Sequence, residues 1–334
     1  MMTIPPKLFF IYLRRQLLEN PELNIKSEAK IRKRLNKKNE SLPLGKTVEV
    51  ERVHIKDFVL DDWITAKKFR KPFVVEGIYD GNNVLNWEDL KTKYSDCIVP
   101  VHEEAEISKK WQYVIPKKQS IGEAVSKIEK GQMANVVSSS QIFVDYPEVL
   151  ERLNVKKLNA LFDMKVLRNE IFIGGKGSGS AFHCAGGSNF FLMANGKKRW
   201  VFVDPKDTLA MYPTVGRKKS SAFFGSPIST TSKNEDYPLF DKVTKYHTVL
   251  NQGDLLFNPP WWWHEVYNVE DSIGIPMRSA GIPFFNHIGG RSVFFSTLYI
   301  LSNNHIKNFW ELRRKTIQTD DIPNDSFGGR DTNE

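Results

Sequence analysis

Residues 171–204 constrain this chain more than any other stretch. They read IFIGGKGSGSAFHCAGGSNFFLMANGKKRWVFVD: a strand, a Gly/Ser turn, a short segment carrying His183, an apolar strand, a second turn at Asn195-Gly196 and another strand. Short apolar runs bounded by glycine-bearing turns are the pattern of strands. A counterpart at residues 250–273, LNQGDLLFNPPWWWHEVYNVEDSI, carries His264. Two histidines on separate strands of an all-β core point to a metal site, because neutral imidazole is the commonest side-chain metal ligand.

At 334 residues the chain can form one large domain or two, and all-β enzymes often reach this size as one unit. An apolar fraction of 40% supplies a sizeable core and excludes global disorder. The only cysteines, Cys97 and Cys184, argue against a disulfide framework and fit a reducing compartment. The early apolar run at residues 8–13 is short and meets Arg14-Arg15 at once, unlike a secretory signal. No run approaches the ~18 apolar residues of a membrane span. These features predict a soluble intracellular protein, cytoplasmic or nuclear, with no membrane partner. Much of the net charge of +9 comes from residues 26–38, KSEAKIRKRLNKK. Such a run can be a nucleic-acid contact, a nuclear address or a patch for an acidic partner, and a solvated helix face or flexible arm is the preferred reading. No nucleic-acid module accompanies the run, so nucleic acid is not indicated beyond it.

Leu8, Tyr12, Leu13 and Leu17 recur at near-helical spacing, with Pro5-Pro6 to open the helix. Val48, Val50 and Val53 predict one strand, and residues 58–69 a short helix capped near Asp57. Strands are expected at 71–78 (ended by Asp80-Gly81), 97–101, 112–115 and 136–144, and helices at 87–94, 121–130 and 146–153. The glycine-rich run Gly174–Gly179 lacks the spacing and following helix of a phosphate loop, which disfavours a doubly wound parallel sheet. The fold class read from these elements is mainly β, an elaborated barrel or sandwich. Residues 1–46 form a basic helical N-terminal extension, 291–318 a pair of C-terminal helices that could mediate a homodimer, and 319–334 a disordered tail. The Lys/Ser-rich stretch 212–241 reads as a lid or a surface insertion.

In GDLLFNPPWWWHEV, Gly253-Asp254 turns the chain into a strand and Pro259-Pro260 ends it rigidly. Trp261, Trp262 and Trp263 are expected to wall in His264, whose rotamer is thereby restrained. A lone buried histidine would more often be a core residue with a hydrogen-bond partner. His183 in a matching strand context favours the metal reading.

The segments GSGSAFHCAGGSNFFLMANGKKRWVFVDP and GDLLFNPPWWWHEVYNVEDSIGI together resemble the cupin-like Jumonji C (JmjC) family of 2-oxoglutarate-dependent, Fe(II) oxygenases. KPFVVEGI, the helix at Trp87 and IFVDYPEVLERL resemble its N-terminal part, so the likeness covers about residues 48–288. It implies a cupin-like JmjC domain over 47–290, a double-stranded β-helix with its core barrel at about 165–280, and hydroxylation or demethylation of a protein or peptide. It also implies Fe(II) on His183 and His264 and 2-oxoglutarate on Lys198, Ser180, Asn189 and Asn268. Alternation along the strand places Lys198 inward with Trp200 and Phe202, against the reading of a surface lysine beside Lys197 and Arg199.

The departure lies at Ala185, where the family pattern His-x-Asp supplies a carboxylate on the same strand face as the first histidine. Cys184 and Glu265 should point to the opposite face. Three readings follow. The chain is a catalytically inactive binding or scaffold relative (a pseudoenzyme), an iron oxygenase with water or halide in the vacant position, or an ordinary dioxygenase of hydroxylase type completed by a carboxylate from elsewhere.

Overall fold

Strand alternation, rather than helix propensity, sets the architecture. The computed structural model describes residues 6–18, 25–79, 84–102, 116–132, 134–215, 223–231 and 234–281. Helices α1 (Pro6–Leu18) and α2 (Ile25–Lys38) precede strands β1 (Thr47–Glu49) and β2 (Glu51–His54). Helix α3 (Leu60–Thr65) is followed by β3 (Phe73–Glu76), β4 (Ile98–His102), β5 (Lys117–Ser120) and β6 (Asn135–Ser139). Then come β7 (Met164–Asn169), β8 (Ile171–Gly174), β9 (Gly179–Ala185), β10 (Ser188–Asn195), β11 (Lys198–Val203), β12 (Thr214–Val215) and β13 (Phe223–Gly225). The last are β14 (Lys245–Leu250), β15 (Leu255–Asn258), β16 (Trp263–Asn268) and β17 (Ser272–Gly281).

Among the described residues these strands make two sheets. One has seven strands in the order β1-β14-β11-β16-β9-β13-β12. The other has ten, running β2-β3-β15-β10-β17-β8-β6-β4-β5 with β7 paired on β17. The expected mainly β barrel with helical additions is therefore present. Strand β10 shows why the sheets stack: SNFFLMAN is apolar on both faces, so both must be covered. Phe190 and Leu192 join a core with Trp63, Phe73, Phe162 and Ile173 beneath the helices. Phe191 and Met193 turn the other way and meet Trp200 and Phe202 of the opposite sheet, which makes the barrel interior. A third cluster, including Leu8, Tyr12, Phe182, Cys184 and Trp263, covers the outside of the seven-stranded sheet.

Several local expectations change. The single strand through Val48, Val50 and Val53 is two strands in different sheets, β1 parallel to β14 and β2 parallel to β3. Buried Val50 lies at the crossing and joins the interior cluster. The helix expected at 58–69 is shorter. Its N-cap is Val59 without a side-chain bond, and Asp57 belongs to the preceding 3-10 turn. The expected strand 136–144 stops at Ser139, and Gln141–Asp145 is helical. The tryptophans do not form one wall, because successive residues splay to opposite sides. Trp261 and Trp263 enter the outer cluster, whereas Trp262 enters the interior. The strand expected at 112–115, the turn expected at Asp80-Gly81, and the expected C-terminal helices, homodimer surface and tail lie outside the described residues. Among the described residues no helix is long and apolar enough to cross a membrane.

Trp262 closes one end of the interior. Its indole packs edge-on to Tyr246, with the ring centroids 5.4 Å apart, and Nε1 donates to the carbonyl of Arg70 at 3.1 Å. Replacing it with alanine leaves both a cavity and an unpaired carbonyl. Trp262→Ala should lower stability by about 3–5 kcal/mol, read as an earlier urea midpoint, whereas Trp262→Phe should lose less.

Candidate ligand pocket and histidine pair

The register between β11 and β16 arranges the interior. Lys198 lies opposite Asn268, Trp200 opposite Val266 and Phe202 opposite His264. Cross-strand partners share a face, so Lys198, Asn268 and His264 all face inward with the aromatic pair. β9 adds His183 directly opposite His264. Ser180 lies three residues before His183, which by simple alternation would send it outward. A β-bulge intervenes, with the three-residue step from Ser180 to His183 opposing a two-residue step from Val266 to His264. The extra residue returns Ser180 to the inner face. From the other sheet, Asn189 pairs with Asn258 on one side and Arg278 on the other, and all three share the inward face of Phe191 and Leu256.

The two imidazoles are close, with ring centroids 4.2 Å apart, and His264 stacks on Trp200. His183 Nδ1 donates to the carbonyl of Ala181 at 2.8 Å, and His264 Nδ1 to that of Trp262 at 2.9 Å. A carbonyl can only accept, so each Nδ1 carries the proton and each neutral ring keeps its lone pair on Nε2. Both rings are held neutral. Desolvation first, then Arg278, pushes the half-buried His183 down to about 4. Desolvation, and then the neighbouring His183, takes His264 well below the usual range. This is the protonation state that a metal requires of imidazole.

Lys198 is buried at 4% exposure and donates to Asn268 Oδ1. Asn268 Nδ2 in turn donates to Ser178 Oγ at 2.7 Å, and Ser272 Oγ donates to Asn268 Oδ1 at 3.0 Å. Every member of this chain besides Lys198 is neutral, and no carboxylate pairs with Lys198 among the described residues. Desolvation pushes its ammonium down to about 7. Gly174 makes the room. A Cβ added there would lie 2.3 Å from Asn268 Nδ2 and 2.9 Å from Asn135 Oδ1.

Three more buried polar atoms in this interior, Asn189 Oδ1, Asn258 Oδ1 and Trp200 Nε1, have no hydrogen-bond partner among the described residues. Buried polar groups are normally satisfied, so the interior has spare bonding capacity for a ligand. Arg278, at the rim, donates from Nε to Glu170 at 3.2 Å. Asn258, Arg278 and Ser178 were not legible as pocket residues from the sequence, because only the register brings them to the histidines.

Ala185 faces the same side as His183, two residues on, and presents a methyl group. Cys184 is buried in the outer cluster. Glu265 also points outward, where it accepts from Ser229 Oγ at 2.5 Å, from the amide of Thr230 at 3.0 Å and from the Thr230 hydroxyl. Among the described residues no group of three His, Cys, Asp or Glu side chains is placed to hold a metal.

A family model for the cupin-like domain matches residues 63–278. "JmjC domain-containing protein A" of Dictyostelium discoideum is 30% identical over 251 residues, covering 68% of this chain and 94% of that protein. The chain belongs to the cupin-like family of JmjC type. More local similarity links this JmjC-type chain to "Arginine-specific demethylase JMJ20" of Arabidopsis thaliana, 32% identical over 31% of this chain and 22% of that protein. "tRNA wybutosine-synthesizing protein 5" of Mus musculus is 34% identical over 28% of each chain. Of the two groups the family implies, the pocket of this JmjC-type chain fits a dicarboxylate at Lys198. Among the described residues it does not fit an iron triad, because two imidazoles stand without a carboxylate.

The contact at Gly174 is open to a double-mutant cycle. Gly174→Ala should lower the melting temperature by displacing Asn268. In the Asn268→Ala background the same change should cost clearly less, giving a coupling of about 1 kcal/mol or more.

Proposed function

We propose that the interior binds a dicarboxylate of the 2-oxoglutarate class, with its far carboxylate on Lys198, and that the histidine pair binds a divalent metal weakly. One observation carries this reading: Lys198 is a buried cation that donates to a neutral amide. An isolated buried charge is costly, so a site of this kind calls for an anion. Ser180, Asn189 and Asn268, on the same inward face, supply neutral hydrogen-bonding groups beside it. The relatives named for arginine demethylation and for tRNA wybutosine synthesis support an oxygenase ancestry with a macromolecule as second ligand. Methyl at Ala185 and the positive charge of Arg278 near both rings favour a binding protein over a normally competent oxygenase.

Calorimetry with 2-oxoglutarate tests the site. Binding should be saturable, and Lys198→Met should weaken it at least tenfold. The same variant should melt higher than the parent in the absence of ligand at neutral pH, because it removes a desolvated amine. No binding by the parent, or no difference between the two, would remove the assignment.

The pH dependence has a definite sign. A bound carboxylate favours the protonated amine and raises its pKa, so above about pH 7 binding must take up a proton. Affinity should fall by up to tenfold per pH unit above that value, and heats in buffers of different ionisation enthalpy should report the proton uptake.

Metal binding is separable. Ala185→Asp places a carboxylate on the inward face and should raise Fe(II) affinity tenfold or more in an anaerobic titration. An unchanged affinity would show that the histidine pair is not a metal site.

A further inference from the structure

Helix α2 carries the densest charge in the chain, and its geometry sorts that charge. Residues in an α-helix turn by about 100° each. Lys26, Lys30, Lys33 and Lys37 therefore fall within an arc of about 60°, a stripe about 16 Å long. Arg34 and Lys38 flank it. All six side chains are exposed, and none has an acidic partner among the described residues. The opposite side of the helix is committed to the protein. Ile31 and Leu35 pack on the outer cluster. Arg32 pairs with Glu28 at 2.7 Å and donates to the carbonyl of Pro213 at 3.2 Å. The Tyr212 hydroxyl donates to Asn36 Oδ1 at 2.9 Å. Glu28, the one acidic residue of α2, is thus buried and neutralised.

Like charges at i and i+4 destabilise an isolated helix. Here packing of the other face fixes them in a row, so the stripe is a preformed cationic surface. We propose that it docks the phosphodiester backbone of a nucleic acid. The match is one of charge spacing. A strand presents a phosphate about every 3.4 Å along a duplex axis, and lysines about 4.5–6 Å apart in rise can each reach a different one. A membrane is a poorer occupant. The charged arc holds no large apolar side chain to enter a bilayer, and Ile31 and Leu35 are spent on the protein, which leaves Ile25 as the one exposed large apolar residue of α2. The bonds to Tyr212 and Pro213 fix α2 to the segment entering β12. That strand pairs with β13, whose Gly225 lies opposite His183. Nucleic acid on the stripe would lie along the edge of the sheet that carries His183.

The experiment is fluorescence anisotropy on the full chain, with labelled single strands of about 20 nucleotides, RNA and DNA of one sequence, across about 0.05–0.3 M salt. The Lys26→Gln, Lys30→Gln, Lys33→Gln, Lys37→Gln variant should bind at least tenfold more weakly. Its slope of log affinity against log salt should be flatter by about 3, from about 0.7 per phosphate contact. A control changing exposed Lys71, Lys130, Lys156 and Lys157 to glutamine should lose less than twofold. The pair Lys26→Gln, Lys37→Gln should flatten the slope by about half as much, about 1.4, which keeps the test open if the fourfold variant misfolds. Tighter binding of RNA or of DNA identifies the source of the backbone. Absence of binding near 0.1 M salt, equal losses in stripe and control variants, or tighter stripe-dependent binding to phosphatidylserine vesicles or polyglutamate than to either nucleic acid would overturn the proposal. Calorimetry with 2-oxoglutarate on the stripe variant should be unchanged, so the outcome is independent of the pocket.

Discussion

The pairing of β11 with β16 is the constraint on which the interior depends. Its six residue pairs set Lys198, Trp200 and Phe202 against Asn268, Val266 and His264. A slip of one residue would exchange that inner row for Arg199, Val201 and Val203 and turn both the lysine and the histidine out of the barrel. The apolar members protect the register. Trp200 and Phe202 complete the interior cluster, while Val201 and Val203 complete the outer one. Burial on both faces thus fixes where the polar residues stand.

Within that frame the electrostatics are one-sided. Both imidazoles are neutral, Lys198 has neutral company, and Arg278 stands at the rim with its carboxylate partner Glu170. In the family pattern an inward carboxylate at position 185 would offset a bound metal. With alanine there, the interior is better disposed toward anions than toward cations. The same absence that weakens the case for iron leaves the case for a dicarboxylate intact.

How much of this was legible in the sequence varied with the physics involved. Alternation exposed the inward face of β11, because Trp200 and Phe202 mark it unambiguously. Alternation alone misplaces Ser180, since a bulge adds one residue and no local residue type announces it. The β-branched run at residues 136–144 reads as strand throughout, yet the chain needs a helix after Ser139 to bury Ile142 and Phe143 under the ten-stranded sheet. Helix Val155–Phe162 had no counterpart in the sequence reading. Asn154, in a left-handed conformation, both ends the preceding helix and caps this one through Lys157. Asn258 and Arg278 were unreadable as pocket residues because their neighbours are set by strand order, which no short motif encodes.

Glu265 limits what the histidine pair can recruit. It adjoins His264 and is the nearest carboxylate in the sequence, but its oxygens are already engaged by Ser229 and Thr230 on the outer face. Those residues follow β13, the strand that pairs with β9. Recruiting Glu265 inward would undo that loop and reverse the parity of β16, so the nearest acid is closed to the chain as a replacement ligand. Among the described residues the shortest route to a three-ligand centre is a single substitution at position 185, on the strand face that already carries His183.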